Sequence, residues 1–253
     1  MFDVIKTRIA QKYRTASYPA TAPVLPDRFK GRPVITPAAN DRAAIDACVR
    51  SCPVGAVSAP SGKPAVDTGK CIFCGECVKV CANKEISFST DHRLAARSRG
   101  DLIVGSNQPL PPCRLDEERL RLFKRSFRLR QVSAGGCNAC EADTNVLGTL
   151  VFDLSRFGIQ VVASPRHADG LLITGPVTKN MELALNKTFD ATPSPKVVIA
   201  VGACAISGGM FAGHDQVHRG APELLPVDLY IPGCPPHPYT ILDGLLRFLG
   251  RID

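Results

Sequence analysis

A chain of 253 residues with 45% apolar side chains is long enough for one large domain or two modest ones, each with its own core. No run reaches the roughly eighteen uninterrupted apolar residues of a membrane span, and the N-terminus lacks the apolar segment of a secretory signal, so a cytoplasmic protein is expected. A formal charge of +8 raises nucleic acid as a partner, but no helix-turn-helix, RNA-recognition or zinc-finger pattern accompanies it, and nucleic acid is set aside.

Residues 1–18 place Phe2, Ile5 and Ile9 on one side of a predicted helix, with Lys6, Arg8, Lys12 and Arg14 around it. This basic amphipathic arm is either a frayed terminus or a strip that docks on a membrane-embedded partner or on anionic lipid. Residues 19–37 hold five prolines and no periodicity, as in an extended arm lying over another surface.

Eleven cysteines in a cytosolic chain point to metal rather than to a disulfide framework. Cys71, Cys74, Cys77 and Cys81 follow the C-x2-C-x2-C-x3-C run of bacterial ferredoxins, in which the first three thiols of one run are completed by the last thiol of another. Cys52, followed by Pro53, is that partner. A complete second run needs thiols at 42, 45 and 48, where the sequence has Arg42, Ile45 and Cys48. One 4Fe-4S cluster is therefore expected, on Cys52, Cys71, Cys74 and Cys77. Cys48 and Cys81 are expected to be reduced and packed where the lost cluster would sit, with Ile45 filling the space and Arg42 at its rim. Residues 56–58 and 86–88 are the expected short strands of a βαββαβ pattern.

Met1-Phe2, Ile5-Lys6, Ser17-Tyr18-Pro19, Phe29-Lys30-Gly31-Arg32-Pro33 and Cys71-Ile72-Phe73-Cys74-Gly75 resemble the two-cluster ferredoxin subunit of formate hydrogenlyase and hydrogenase-4. The resemblance covers about the first ninety residues, and positions 42 and 45 depart from it.

Residues 91–108 are polar and basic, prolines break the chain at 109–112, and an arginine-rich docking helix is expected over 116–128; a solvated charged face is the alternative. Cys113 is read as a lone unliganded thiol. Beyond it, strands are expected at 129–132, 159–163, 171–174, 197–201 and 227–231, with helices at 142–155, 178–185 and 238–249. Such a βαβ series predicts a doubly wound parallel sheet. Cys137 and Cys140 follow its first strand, Cys204 the fourth and Cys234 the fifth. Loops at the carboxyl ends of parallel strands converge, so these four thiols are expected to form a second 4Fe-4S cage. Zinc also accepts four thiolates. Each cuboidal cluster with four thiolates adds about −2, so two leave a net charge of about +4.

Gly136-Cys137-Asn138-Ala139-Cys140-Glu141, Arg156-Phe157-Gly158-Ile159, Ser164-Pro165-Arg166-His167-Ala168-Asp169, Gly202-Ala203-Cys204, Ser207-Gly208-Gly209 and the run Val227-Asp228-Leu229-Tyr230-Ile231-Pro232-Gly233-Cys234-Pro235-Pro236 resemble the small subunit of membrane-bound, energy-converting nickel-iron hydrogenases. That group is also similar to the 20-kDa iron-sulfur subunit of respiratory complex I. The complex I subunits carry adjacent cysteines at the first ligand loop, whereas Cys137-x2-Cys140 has the hydrogenase spacing.

Together these readings give an α+β ferredoxin-like N-terminal domain and an α/β flavodoxin-like, doubly wound C-terminal domain. The expected division is an arm at 1–40, a 4Fe-4S domain at 41–90, a linker and docking helix at 91–122, and the hydrogenase-like domain at 123–253. The resemblance implies an electron-transfer subunit with two 4Fe-4S clusters, peripheral on the cytoplasmic face of the inner membrane. Its implied partners are a nickel-iron large subunit, membrane-embedded subunits, and a ferredoxin or dehydrogenase module as donor. The alternatives are the same role in a nickel-free, complex-I-like oxidoreductase, or a noncatalytic iron-sulfur scaffold or redox sensor. Glu141, opening a predicted helix beside a ligand, suits either the helix dipole or proton delivery. Arg166 and His167 are expected at the same edge as the thiols, in contact with the cluster or a partner, or simply hydrogen-bonded at the surface.

Overall fold

The computed structural model describes residues 2–36, 41–81, 85–123 and 125–252. Helix α1 (Phe2–Gln11) buries no residue. The chain then runs without regular structure over the protein surface, and the Pro37 end of the expected arm lies outside the described residues. The arm is latched at Tyr18, which is buried and whose hydroxyl donates to Asp243 Oδ1 at 2.9 Å.

A small unit follows in the order β1 (Pro33–Ile35), α2 (Arg42–Arg50), β2 (Val57–Ser58), β3 (Ala65–Asp67), α3 (Glu76–Val80) and β4 (Ile86–Phe88). Strand β1 pairs antiparallel with β4, and β2 antiparallel with β3. Asp41 starts α2 by accepting the amides of Ala43 and Ala44, satisfying donors that have no partner within the helix. The expected strands at 56–58 and 86–88 are present. Ile45 is 1% exposed and packs inside, while Arg42 is exposed.

One expectation is corrected here. Cys48 and Cys81 form a disulfide, with their Cα atoms 5.7 Å apart, rather than a reduced pair. The physical reason is closure of the space: with no thiols at 42 and 45, α2 and α3 pack directly together and bring the two remaining sulfurs into contact.

The stretch expected as a polar linker is largely packed. Leu94, Ala95, Ala96, Leu102 and Leu115 are buried, β5 (Ile103–Val104) extends the β2–β3 sheet, and Ala96 bridges Tyr230 with backbone hydrogen bonds of 2.8 and 3.0 Å. Helix α4 (Glu117–Phe123) is shorter than the helix expected over 116–128. Phe127 and Leu129 pack in one core while Arg128 between them stays exposed, and this alternation makes the segment strand β6 (Phe127–Ser133) instead, with Val132 buried on the opposite face. Cys113 is a free, buried thiol facing the Gly244 carbonyl at 3.7 Å.

The larger unit is a five-stranded parallel sheet of β6, β7 (Ile159–Val161), β8 (Gly170–Thr174), β9 (Val197–Val201) and β10 (Leu229–Ile231). Its spatial order is β10-β9-β8-β6-β7. Counted along the chain this is 2-1-3-4-5, the flavodoxin-like order, with its switch point between β6 and β8. Strands β8 and β9 are buried at every position, as a sheet covered on both faces requires. Helices α5 (Ala139–Val146), α6 (Lys179–Ala191), α7 (Ala203–Ser207) and α8 (Pro238–Phe248) connect or follow the strands. Helix α5 starts earlier and stops sooner than the helix expected over 142–155, because the chain turns at Gly148 and Asp153 adopts φ +46°. Helix α6 continues past Leu185 to the residue before Thr192-Pro193. Helix α8 is almost wholly buried, since the connector lies over it: Gly244 meets Ala95, and Arg247 donates to the Pro111 carbonyl at 2.8 Å.

Candidate metal centres

The sheet brings three separated loops to its carboxyl edge. Cys137 and Cys140 lie between β6 and the first turn of α5, Cys204 in the first turn of α7 after β9, and Cys234 after β10. All four are free; Cys137 and Cys234 are exposed, and Cys140 and Cys204 half-buried. Backbone bonds of 2.8 Å from Gly202 N–H to the Ile231 carbonyl and from Ala203 N–H to the Gly233 carbonyl join the β9 and β10 loops. Gly202, at φ +91°, passes so near Cys140 that a Cβ there would lie 2.6 Å from its sulfur. No other residue fits that position.

Burial pushes the Cys140 thiol well up, and Cys204, Glu141, Cys234 and Cys137 add to the rise. Cys204 is pushed up to about 11, by burial first and then by Cys234 and Cys137, while the Met210 N–H opposes the shift. Thiols that so oppose one another's ionisation become thiolates together only around a cation.

The second set lies in the small unit. Cys71 and Cys77 are buried, Cys52 is half-buried and Cys74 exposed. Ala56 N–H donates to Cys52 Sγ at 3.2 Å and Phe73 N–H to Cys71 Sγ at 3.3 Å. Cys71 is pushed up to about 12, chiefly by burial, with Cys77, Cys52 and Cys74 adding and the Phe73 amide opposing. Cys77 is raised by burial and then by Cys52 and Cys74. Peptide N–H groups aimed at sulfur are the donors that an anionic iron-sulfur cluster uses.

Among the described residues, the set of three or more metal-ligating groups whose donor atoms all lie within 4.8 Å is Cys48, Cys81 and Glu85, and its sulfurs are joined to each other. Both four-thiol sets are more widely spread. Tetrahedral zinc with bonds of about 2.3 Å draws its sulfurs to roughly 3.8 Å of one another. Neither set meets that spacing among the described residues.

Glu141 is buried, and its Oε1 accepts from Ser133 Oγ at 2.6 Å and Thr174 Oγ1 at 2.7 Å. It thereby ties α5 to the carboxyl ends of β6 and β8. Arg166 and His167 are a correction: they lie not beside the thiols but with Arg128, Asp169 and Pro193–Pro195, at the amino ends of the strands. The reason is that β7 pairs with only the first three residues of β6, so the loop after it never reaches the carboxyl edge.

The two thiol sets share a wall. A cavity of about 210 Å³ is lined by Ile72 and Phe73 of one ligand loop, by Gly233, Cys234 and Pro235 of the other, and by Phe29 and Lys30 of the arm. Phe29 packs edge-on against His237 at 5.5 Å between centroids, and the Lys30 side chain covers Gly75. The sequence reading missed these arm residues as part of the site; their signal was the Phe29-Lys30-Gly31-Arg32-Pro33 motif, whose role no spacing rule supplies.

Comparison with known proteins bears on both sets. The family of the NADH ubiquinone oxidoreductase 20 kDa subunit matches residues 137–248, and a 4Fe-4S binding domain matches residues 64–81. The probable membrane-bound hydrogenase subunit mbhJ of Pyrococcus furiosus is 38% identical over 147 residues, covering 54% of this chain and 88% of that protein. The chain belongs to the 20 kDa subunit family. Formate hydrogenlyase subunit 7 of Escherichia coli (strain K12) is 45% identical over 134 residues, 53% of this chain; the chain spans 52% of the length of that relative. An NADH-quinone oxidoreductase subunit of Citrifermentans bemidjiense is 46% identical over 117 residues, 46% of this chain and 68% of that protein. As a 20 kDa-family member with an added 4Fe-4S motif, the chain places its family-matched segment over Cys137, Cys140, Cys204 and Cys234 and its 4Fe-4S motif over Cys71, Cys74 and Cys77. The motif match also includes Cys81, which the disulfide to Cys48 occupies.

Proposed function

We propose that the chain is the electron-transfer subunit of a membrane-bound, energy-converting nickel-iron hydrogenase. Electrons enter at a 4Fe-4S cluster on Cys52, Cys71, Cys74 and Cys77 and pass to a second on Cys137, Cys140, Cys204 and Cys234. From there they reach a nickel-iron centre in a separate large subunit, where protons are reduced or hydrogen is oxidised. A bound cubane supplies a one-electron couple. The observation that supports this reading is the cavity whose lining joins Ile72 and Phe73 of one thiol loop to Gly233 and Cys234 of the other, so that two centres bound there would stand in series within one chain.

The β-α-β-β-α-β order with its β1–β4 and β2–β3 pairs supports a ferredoxin-like reading of the small unit. The proposed division has an arm at 1–40, a ferredoxin-like domain at 41–90 to which the arm lends β1, a connector at 91–122 and the 20 kDa-family domain at 123–253. Exposed Cys137 and Cys234, with exposed Met210, whose amide faces Cys204, form the face for the large subunit. Among the described residues no helix is long and apolar enough to cross a membrane. Likeness to a probable membrane-bound hydrogenase subunit supports a position at the cytoplasmic surface of the inner membrane, held by membrane-embedded subunits, with a ferredoxin or dehydrogenase module as donor.

Comparable identity to an NADH-quinone oxidoreductase subunit favours a second reading, a nickel-free partner that passes electrons to a quinone. The Cys137-x2-Cys140 spacing favours the first. Hydrogen-dependent viologen reduction by the purified complex, with nickel analysis, decides between them. Hydrogen-linked activity with stoichiometric nickel is expected; an active, nickel-free complex would overturn the hydrogenase reading.

A further inference from the structure

Helix α1 is the conspicuous surface that the cluster reading leaves unused. All of its residues are exposed, Phe2 by 80% and Ile9 by 70%. A solvated helix has no reason to segregate its side chains, yet the three largest apolar side chains of this one share one face. At about 100° per residue, Phe2, Ile5 and Ile9 share an arc of roughly 60°, with Lys6 about 40° beyond one border and Arg8 about 60° beyond the other. Asp3, Thr7 and Gln11 occupy the far side, with Val4 and Ala10 the apolar residues outside the stripe. With Lys12 and Arg14 following, the segment carries four basic residues against one acidic residue.

The helix is tethered to a second apolar feature. Ala16 N–H donates to the Val151 carbonyl at 2.9 Å, and Arg156 Nη2 donates to the carbonyls of Ala16 and Tyr18 at 2.8 Å each. At that anchor Leu150 is 76% exposed and Val151 beside it 45%. The turn after α5 therefore presents apolar side chains where the arm leaves the body. Only residues 12–15 separate α1 from this point, so helix and turn can approach one surface together.

We infer that α1, with Leu150 and Val151 beside its tether, binds the surface of an anionic lipid bilayer. A narrow apolar stripe flanked on both sides by cations fits such an interface: Phe2, Ile5 and Ile9 enter the acyl boundary while Lys6 and Arg8 remain at the level of the headgroup phosphates. The tether keeps the helix beside the body rather than across the bilayer. The inference rests on the membrane-peripheral reading only for the presence of a bilayer, since the surface chemistry belongs to α1 itself.

The test is co-sedimentation of the full chain with phosphatidylcholine vesicles, and with the same vesicles containing about one third phosphatidylglycerol. Binding to the anionic vesicles alone is expected, weakened by salt, with partitioning falling roughly fivefold for each of Lys6→Gln and Arg8→Gln. The triple variant F2E/I5E/I9E should lose at least about tenfold. None of these side chains is buried, so the variants keep the fold, as unchanged iron content and circular dichroism would verify. Equal binding to neutral vesicles, or undiminished binding by the triple variant, would overturn the inference. So would absence of vesicle binding, including the case where α1 is instead needed for pull-down of the membrane subunits. Iron content separates the two readings: a chain that binds vesicles without holding iron sinks the proposed function and leaves the lipid surface standing.

Discussion

The two thiol sets are held by different physical means. Three thiols of the proposed input set, Cys71, Cys74 and Cys77, lie in one seven-residue stretch, and the fourth, Cys52, follows a helix packed beside it. Local backbone geometry nearly builds that site by itself. The sheet-edge set draws on residues from 137 to 234, which meet only after β6, β9 and β10 lie in register. A site made by a loop depends on that loop; a site made by topology depends on the whole sheet, and each can be broken without touching the other.

The largest effect is expected from Gly202→Ala. A Cβ at this position meets the Cys140 sulfur at 2.6 Å, and φ +91° is unfavourable for any L side chain. The sheet-edge cluster should be lost and the input cluster kept, so that iron falls from about eight to about four atoms per chain and hydrogen-linked turnover stops. Iron analysis and low-temperature electron paramagnetic resonance check this. Loss of both clusters would mean that the sites are not independently built.

Breaking the small unit alone should cost less. The Cys48–Cys81 bond closes a loop with a sequence separation of 33, which stabilises by about 3–4 kcal/mol on the chain-entropy account. The double variant C48S/C81S should lower denaturant stability of that unit by this order and leave the sheet unit unchanged. Reductant should have the same effect on the wild type and none on the variant. Iron at the sheet edge is the control.

Tyr18→Phe tests what keeps the arm against both sites. The variant removes the donor to Asp243 Oδ1, a carboxylate 1% exposed, and leaves that oxygen without its partner inside the protein. A loss of about 1–3 kcal/mol is expected. The arm carries Phe29 and Lys30 into the shared wall, so slower electron transfer between clusters with unchanged iron content should accompany it. Stopped-flow reduction of the two clusters measures that step.

The same contrast governs what was legible in the sequence. That Cys52, Cys71, Cys74 and Cys77 lie together could be read from spacing alone, because a local loop leaves its geometry in the interval between cysteines. The sheet-edge thiols could be grouped because each follows an expected strand of one parallel sheet, β6, β9 or β10, and the carboxyl ends of parallel strands converge. Arg166 and His167 were misplaced for the converse reason: the brevity of β7 is set by its pairing with β6, and no residue near 166 announces it. The helix expected over 116–128 failed where Phe127 and Leu129 alternate with Arg128, a period-2 pattern hidden by arginines that also suit a helix. The disulfide was unreadable from cysteine counts, since the closeness of Cys48 and Cys81 arises from the packing of α2 on α3. Nor did the prolines of the arm indicate that Tyr18 would be its latch.

Alkaline pH should loosen the sheet unit through a residue that belongs to neither site. Cys113 lies in the core beneath α8, where burial pushes its thiol from 9.0 up to about 12. Arg247 opposes that rise and Asp243 adds to it. The folded state therefore holds the proton more tightly than the unfolded chain does. Its contribution is fully present below pH 9 and is lost as pH climbs toward 12, at a limiting slope of about 1.4 kcal/mol per pH unit. Tyr18, raised mainly by burial, acts in the same direction above its ordinary range. Cys113→Ala removes the first contribution, so its denaturation midpoint should fall less steeply than the wild type's between pH 9 and 11. At neutral pH the small cavity should leave the variant weaker by about 1 kcal/mol. Parallel curves for the two proteins would show that the Cys113 thiol is reached by solvent and that the core beneath α8 is not closed around it.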